Sequence, residues 1–207
     1  MMPDAHQNGS CYQIRSLYFD DVADSCMDEN ESGIDSRNKY RIRIYDTTGE
    51  IIHLEIKEKY RGLTKKSSCS LTMDEYEKIA LGYHRSIPLS DRAPLNKLKV
   101  QMACNKMEPK VIISYERSAF VHPSGNVRIT FDRNIMASRV LEDFFEENVS
   151  GHVPVLPTGM HVLEVKYDEL LPDMIAKQLE IGKLRQTAFS KYYLGRLAIA
   201  GEFPVDI

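Results

Sequence analysis

The sequence lacks clustered cysteines, a long apolar run and a large net charge, and each absence excludes a class of protein. Its four cysteines have no C-x-x-C spacing and form no Cys/His cluster, which argues against a zinc site and favours free thiols in a reducing compartment. No stretch approaches the roughly 20 apolar residues of a membrane helix. Residues 1–10 are polar and lack the apolar segment of a signal peptide. We therefore expect a cytoplasmic protein without membrane insertion.

The net charge of −3 results from 27 lysines and arginines against 30 aspartates and glutamates. This balance argues against a nucleic-acid partner, which usually requires a basic domain. It does not exclude an anionic ligand, because a local cationic cluster can be hidden in a neutral average. With 207 residues, 43% of them hydrophobic, the chain is long enough for one domain with a sizeable core. We expect residues 1–207 to form that single domain.

Strand-like segments with period-two alternation dominate the chain. The predicted strands are Tyr12–Phe19, Lys39–Tyr45, Ile51–Lys59, Lys110–Arg117, Asn126–Asp132 and His161–Tyr167. The predicted helices are residues 72–80, which begin with a Thr72/Glu75 capping box, and residues 95–107, 173–181 and 185–200. The polar stretches 20–38 and 143–160 are predicted to be loops. The fold class is therefore α+β, an antiparallel sheet or β-barrel with flanking helices.

Side chains alternate across a strand, so each predicted strand has two faces. One face is apolar and the other is mostly cationic. The polar faces carry Lys39, Arg41, Arg43, His53, Glu55, Lys57, Lys59, Arg117, Arg128, Thr130, Asp132, Glu164 and Lys166. A solvated face would normally mix signs, since like charges on adjacent strands destabilise a sheet. A bound polyanion removes this penalty, and arginine binds phosphate with bidentate hydrogen bonds.

Three carboxylates lie on the same cationic faces: Glu55, Asp132 and Glu164. Mg²⁺ and Mn²⁺ are often held by one or two carboxylates together with substrate phosphates. An ordinary salt bridge to a neighbouring Arg or Lys is the alternative for each acid, and for Glu55 and Asp132 the two interpretations are equally weighted. His53 is the one histidine of interest, because it falls on a cationic face.

Seven motifs, in order along nearly the whole chain, resemble the vacuolar transporter chaperone (VTC) domain in its bacterial form. They are residues 15–21 (RSLYFDD), 39–45 (KYRIRIY), 54–59 (LEIKEK), 115–120 (YERSAF), 126–132 (NVRITFD), 163–167 (LEVKY) and 188–192 (AFSKY). The resemblance implies a triphosphate tunnel metalloenzyme, an antiparallel barrel lined by Arg, Lys and Glu with helices outside. It also implies a polyphosphate polymerase that transfers the γ-phosphate of ATP to inorganic polyphosphate, with Mn²⁺ or Mg²⁺ as cofactor.

The resemblance assigns roles to individual residues. Arg41 and Arg43 match the paired phosphate-binding arginines, Tyr115 and Arg117 match a Tyr-x-Arg phosphate contact, and Glu164 matches the metal ligand. Ser190 and Lys191 match a Ser-Lys pair at the tunnel mouth. Strand alternation adds Lys57, Lys59, Arg128 and Lys166 as residues that face the lumen. The expected catalytic set is then Arg41, Arg43, Lys57, Arg117 and Lys191. The expected phosphate-binding set is Lys59, Tyr115, Arg128, Lys166 and Ser190, and the expected metal ligands are Glu164 and Glu55.

Family members begin with a Glu-x-Lys-Tyr strand, which residues 1–10 do not provide. We therefore expect an N-terminally truncated barrel with two open edges and self-association through Tyr12–Phe19 or its exposed neighbour. Two rival functions stay open on sequence alone. One is a triphosphate or polyphosphate hydrolase of the same superfamily, and the other is a non-catalytic polyphosphate-binding module.

Overall fold

The computed structural model describes residues 1–4, 9–180, 182 and 186–202. Within them the chain forms nine strands and five helices. The strands are β1 (Met2–Pro3), β2 (Tyr12–Asp20), β3 (Arg37–Ile44), β4 (Ile52–Tyr60), β5 (Leu63–Leu71), β6 (Glu108–His122), β7 (Val127–Ser138), β8 (Val153–Pro154) and β9 (Val162–Lys166). The helices are α1 (Ser25–Glu31), α2 (Met73–Ala80), α3 (Ala93–Cys104), α4 (Asp173–Leu179) and α5 (Lys191–Ala200). None of these helices is long and apolar enough to cross a bilayer.

All strand pairs are antiparallel, and the sheet runs in the order β5-β4-β3-β2-β6-β7-β8, with β1 paired to β6 and β9 paired to β7. This order corrects the expectation that Tyr12–Phe19 lies at an open edge, because β2 is hydrogen-bonded to β3 on one side and β6 on the other. Among the described residues, the sheet ends at β5 on one side and at β8 and β9 on the other. The N-terminus also differs from expectation, since Met2–Pro3 forms a short strand against β6.

The sheet curls strongly around its cationic face. In the sheet order, β4 and β9 are five strand spacings apart, which would be about 24 Å in a flat sheet. Burial, and after it the charge of Lys166 in β9, lower the pKa of Lys57 in β4, while Glu164 in β9 opposes this shift. The two strands therefore face each other across a lumen. The predicted α+β class and antiparallel tunnel architecture are confirmed. The barrel is not closed, because the described parts of β5 and β9 have no strand pairing with each other.

The core lies on the outer face of the sheet under α2 and α3, and it continues between α5 and the inner face, where Ile113 and Ala137 are buried. Ile42, Leu54 and Ile56 are fully buried and belong to one cluster with residues of α2 and α3, including Ile79 and Leu98. The capping box of α2 is present as predicted: the Thr72 hydroxyl accepts from the Glu75 N–H, and the Glu75 carboxylate accepts from the Thr72 N–H. This packing leaves the opposite, inner face for the cationic side chains.

Helix α5 packs against the inner side of the sheet. A Cβ at Gly195 would come within 2.3 Å of the Ile113 side chain and 3.4 Å of Ala137. The absence of a side chain at Gly195 therefore allows α5 to approach β6 and β7 closely. This approach brings the N-terminal end of α5, with Ser190 and Lys191, to the lumen.

Several predicted elements need correction. The predicted 20–38 loop contains α1, whose N-terminal amides at Cys26 and Met27 donate to the buried carboxylate of Asp20. The C-terminal helix begins at Lys191, where Ser190 caps it, and the predicted start at Arg185 lies outside the described residues. The predicted 143–160 loop contains the short strand β8. The sequence pattern also did not indicate strand β5 (Leu63–Leu71).

Candidate functional site: a cationic lumen

Strand register places the predicted polar faces on one continuous inner surface. Directly paired residues point to the same side of a sheet, and the pairs Arg41/Glu55, Arg117/Asp132 and Thr130/Glu164 join five strands in this way. The lumen-facing cations are Arg37, Lys39, Arg41, Arg43, Lys57, Lys59, Lys66, Arg117, Arg128 and Lys166. The carboxylates among them are Glu55, Asp132 and Glu164. Cations therefore greatly outnumber acids on this surface.

Glu55 organises the first group of cations, which we call the Glu55 cluster (Glu55, Arg41, Arg43 and Lys66). Its carboxylate is 2.6 Å from Arg41 Nη2, 2.6 Å from Lys66 Nζ and 3.7 Å from Arg43 Nη1. Only 5% of Glu55 is exposed. Burial alone would raise the pKa of this carboxyl, but the two arginines and Lys66 lower it to about 2. Glu55 is thus a fixed anion that holds three cations in place.

Hydroxyl groups fix the same two arginines from the other side. Arg41 Nη1 donates to the Tyr18 hydroxyl at 2.9 Å, and Arg43 Nη2 donates to the Tyr115 hydroxyl at 3.1 Å. Burial would raise the pKa of Tyr18, but the adjacent cations, Arg41 first, lower it to about 8. Both guanidinium groups are therefore oriented before any ligand arrives.

Asp132 organises the second group, the Asp132 cluster (Asp132, Arg117 and Lys191). Arg117 donates two parallel hydrogen bonds to the Asp132 carboxylate at 2.6 and 2.7 Å, and Lys191 Nζ lies 2.7 Å from the same carboxylate. Asp132 is completely buried. Burial would raise its pKa, yet Arg117 and Lys191 lower it below the usual aspartate range. Lys191 also lies 4.9 Å from the centre of the Tyr115 ring, which joins this cluster to Arg43.

Glu164 is held less firmly than the other two lumen acids. Its carboxylate lies 3.1 Å from Lys166 Nζ and 3.9 Å from Arg117 Nη2, and 39% of its side chain is exposed. Burial would raise its pKa, but Lys166 and neighbouring cations lower it, so Glu164 is an anion at neutral pH. Each oxygen of Glu55 and of Asp132 contacts a cation at 2.6 or 2.7 Å, whereas the two oxygens of Glu164 have only the longer 3.1 and 3.9 Å contacts. Of the three, Glu164 is therefore the most accessible to a metal ion.

One mouth of the lumen opens into a cavity of about 640 Å³ lined by Arg37, Lys39, Lys57, Lys59 and Ser190, among others. Lys39 Nζ donates to Asn30 Oδ1 and to the Ser190 hydroxyl, both at 2.7 Å. Burial lowers the pKa of Lys39 to about 8. Lys57 is exposed to the cavity, and Lys59 forms a 3.4 Å ion pair with Asp35. This mouth is strongly cationic.

Arg128 and Lys166 lie on paired positions of β7 and β9. Arg128 Nη2 is 2.8 Å from the Asp4 carboxylate and 3.4 Å from the Tyr12 hydroxyl. Lys166 is largely exposed. The predicted residues thus form two buried clusters, one cationic mouth and a more open region along β7 and β9, rather than one compact constellation.

Sequence reasoning missed Arg37, Lys66 and Tyr18 among the lumen residues. Arg37 was missed because its strand was predicted to begin only at Lys39. Lys66 was missed because β5 was not predicted as a strand, so its alternation was never considered. Tyr18 was placed on a predicted strand, but tyrosine in a strand more often packs in a core. The closeness of Tyr18 to Arg41 depends on strand register, which the sequence does not specify.

Comparison with known proteins agrees with this arrangement. A provisionally named adenylate cyclase from Bacillus halodurans has a similar structure, with a TM-score of 0.51 over 88% of this chain and 82% of that chain, at 12% sequence identity. A search of curated proteins finds no match. The VTC domain family matches residues 1–199. With the curled antiparallel sheet and its cationic lumen, this match over nearly the full length places the chain in the VTC domain family, within the triphosphate tunnel superfamily.

Proposed function

We propose that this chain is a polyphosphate polymerase that transfers the γ-phosphate of ATP to the end of an inorganic polyphosphate chain. The observation that carries the proposal is the cationic lumen, in which Arg41, Arg43 and Arg117 are oriented by buried partners. Without a ligand, the like charges on neighbouring strands of such a surface repel each other. A bound chain of phosphates removes this repulsion and accepts charge-assisted hydrogen bonds from the arginines. Membership of the VTC family agrees with this substrate class.

Phosphoryl transfer depends mainly on positioning and on stabilising charge, and the protein does little covalent chemistry. In this proposal the arginines of the Glu55 cluster and Arg117 bind the triphosphate oxygens. Lys191 and Lys57 contribute positive charge beside the transferred group. The acceptor is a terminal phosphate of the polymer, which is already an anion, so no general base is required.

A divalent cation, Mn²⁺ or Mg²⁺, fits this lumen in one way. Glu164 would hold it together with substrate phosphates, since these ions are commonly bound by one or two carboxylates plus phosphate oxygens. Among the described residues, no group of three or more potential protein ligands comes together, so the phosphates would complete the coordination. The ion would draw negative charge from the phosphate oxygens. Glu55 is less suited to this role, because cations lie 2.6 Å from each of its oxygens and its side chain is only 6% exposed.

The test is analysis of the products formed from ATP with Mn²⁺ or Mg²⁺. We expect long polyphosphate from the wild-type protein and little from Glu164→Gln, which preserves size but removes the anion. Glu169→Gln is the matched control, since Glu169 is exposed on the surface and should retain activity. Absence of any phosphate product from wild type would contradict the enzymatic proposal, and equal activity of both variants would contradict the role of Glu164.

A hydrolase is the second candidate, and the open side of the sheet favours it. Among the described residues, β5 and β9 do not pair with each other, and water that entered the lumen between them would compete with a polyphosphate end for the transferred phosphate. Orthophosphate as the main product would support this function. Tight binding of polyphosphate with no turnover would instead indicate a non-catalytic binding module.

A further inference from the structure

Thr130 presents a buried hydroxyl group that nothing in the described protein satisfies. Only 3% of the residue is exposed, and its Oγ1 is fully buried without a hydrogen-bond partner among the described residues. Buried hydroxyls in folded proteins almost always have a partner, because an unpaired one loses its hydration without compensation. Because Thr130 also lies on the lumen face of β7, its unpaired hydroxyl is placed to meet a partner that arrives from outside the chain.

The surroundings of Thr130 identify the chemistry of that partner. Strand pairing places Thr130 on the lumen face of β7, directly opposite Glu164 of β9 and Ala119 of β6. Two positions away on the same face, Arg128 Nε is a second buried donor without a partner among the described residues. Two unsatisfied donors side by side require an acceptor, and the cations nearby favour an anionic one.

We propose that Thr130 is a substrate-binding residue whose hydroxyl donates a hydrogen bond to a phosphate oxygen lying between β7 and β9. This inference rests on the proposed function and adds a residue that the family pattern does not assign. The phosphate bound there lies beside Glu164, so Thr130 would fix the position of the phosphate that shares a metal ion with Glu164. Arg128 Nε would contact the same phosphate group or the next one along the chain.

Thr130→Val tests this role, because valine has nearly the same shape and also favours strands. The affinity for inorganic tripolyphosphate is measured by calorimetry in metal-free buffer, so that a change in metal binding does not contribute. We expect binding about tenfold weaker in Thr130→Val, the usual effect of losing one hydrogen bond to a charged group. Thr130→Ser keeps the hydroxyl and should bind within about twofold of wild type, since the donor is retained.

The melting temperature of the ligand-free protein supplies an independent readout. Removing an unsatisfied hydroxyl should leave the melting temperature of Thr130→Val unchanged or higher, whereas removing a structural hydrogen bond would lower it. Ser114→Ala is the matched control. Within the described part of the chain, Ser114 Oγ is also buried without a partner, but Ser114 neighbours Tyr115 on β6 and so faces away from the lumen. This variant should bind tripolyphosphate like wild type.

The possible results separate this inference from the proposed function. If wild type binds tripolyphosphate and Thr130→Val binds it equally well, the hydroxyl is satisfied by water and the inference is wrong, while the proposed function stands. A lower melting temperature for Thr130→Val, or an equal loss of affinity in Ser114→Ala, would likewise overturn it. Failure of wild type to bind tripolyphosphate would overturn both proposals together.

Discussion

At the scale of single residues, the lumen depends on acids as much as on cations. Glu55 and Asp132 are buried, and each holds its arginine and lysine partners within 4 Å. A buried carboxylate pays a large desolvation penalty unless cations and hydrogen bonds surround it. The same contacts that stabilise the acids also orient the guanidinium groups toward the lumen. Phosphate binding and folding are therefore coupled at these positions.

Arg41 is the residue whose loss should most directly affect the proposed ligand. Arg41→Ala leaves Glu55 with Arg43 and Lys66 as partners, so the protein should still fold. We expect the affinity for tripolyphosphate to fall about ten- to hundredfold, the usual value of one charge-assisted contact. Calorimetric titration measures this change, with Arg85→Ala, an exposed surface arginine, as the control. Wild-type affinity in Arg41→Ala would contradict the assignment of the lumen as the phosphate site.

Glu55 should control the stability of the protein in acid. Folding lowers the pKa of this carboxyl from about 4.5 to about 2. The resulting stability is fully present above pH 4.5 and is lost as the pH falls toward 2. Glu55→Gln should therefore lower the free energy of unfolding at pH 7 by about 3 kcal/mol, and the difference from wild type should shrink between pH 4.5 and 2. Thermal melts at several pH values measure this. A difference that stays constant with pH would contradict it, and Glu50→Gln, at an exposed position, is the control variant.

At the scale of secondary-structure elements, the N-terminal end of α5 links folding to the site. Ser190 accepts a hydrogen bond from the Tyr193 N–H and another from Lys39, and the next residue, Lys191, reaches Asp132. The carboxylate of Asp20 accepts from α1 and from Tyr192, so it holds α1 and α5 together. One small group of contacts thus positions both the mouth and the Asp132 cluster.

Comparing two helix caps separates the structural and functional roles of Ser190. Ser190→Ala and Thr72→Ala each remove an N-cap, and each should lower stability by about 1 kcal/mol. Only Ser190→Ala should also weaken tripolyphosphate binding, by several-fold, because it releases Lys39 and loosens Lys191. The cap of α2 lies outside the lumen. Denaturant unfolding and calorimetry on both variants measure these effects, and equal affinities would show that Ser190 acts only as a cap.

Elements with their own local signal could be predicted from the sequence, and the others could not. The alternating strands and the capping box of α2 were found because their patterns are local. Strand β5 is polar, mostly exposed and at an edge of the sheet, so it has no apolar face that a pattern could reveal. The hairpin turn between β4 and β5 uses positive φ angles at Arg61 and Gly62. Helix α1 is seven residues long and lacks a side-chain cap at its own N-cap residue. Its first N–H groups donate to the side chains of Asp20 and Asp21, which lie before the usual N-cap position, so the standard capping pattern did not indicate the helix.

At the scale of the whole molecule, strand alternation predicted which side chains face the lumen but not how they pair. Arg41, Arg43, Arg117 and Glu164 could be placed because every second residue of a strand shares a face. The division of these residues into two carboxylate clusters depends on register, on the curl of the sheet and on α5, which are set by tertiary packing. The roles that the family resemblance assigns to these residues remain predictions until binding is measured.

In the part of the chain that the structure describes, β5 and β9 do not pair with each other, and this open boundary would affect how a polymer leaves the lumen during synthesis. A closed tunnel must be threaded from its end, so a growing chain stays with one enzyme molecule. An open boundary between β5 and β9 would let the growing polyphosphate leave the lumen sideways after each addition. Given the proposed activity, we expect distributive synthesis, in which all chains lengthen together and excess unlabelled polyphosphate added during the reaction stops growth of labelled chains at once. If a few labelled chains instead continue to grow very long after the unlabelled polyphosphate is added, β5 and β9 are closed against each other during synthesis and the enzyme is processive.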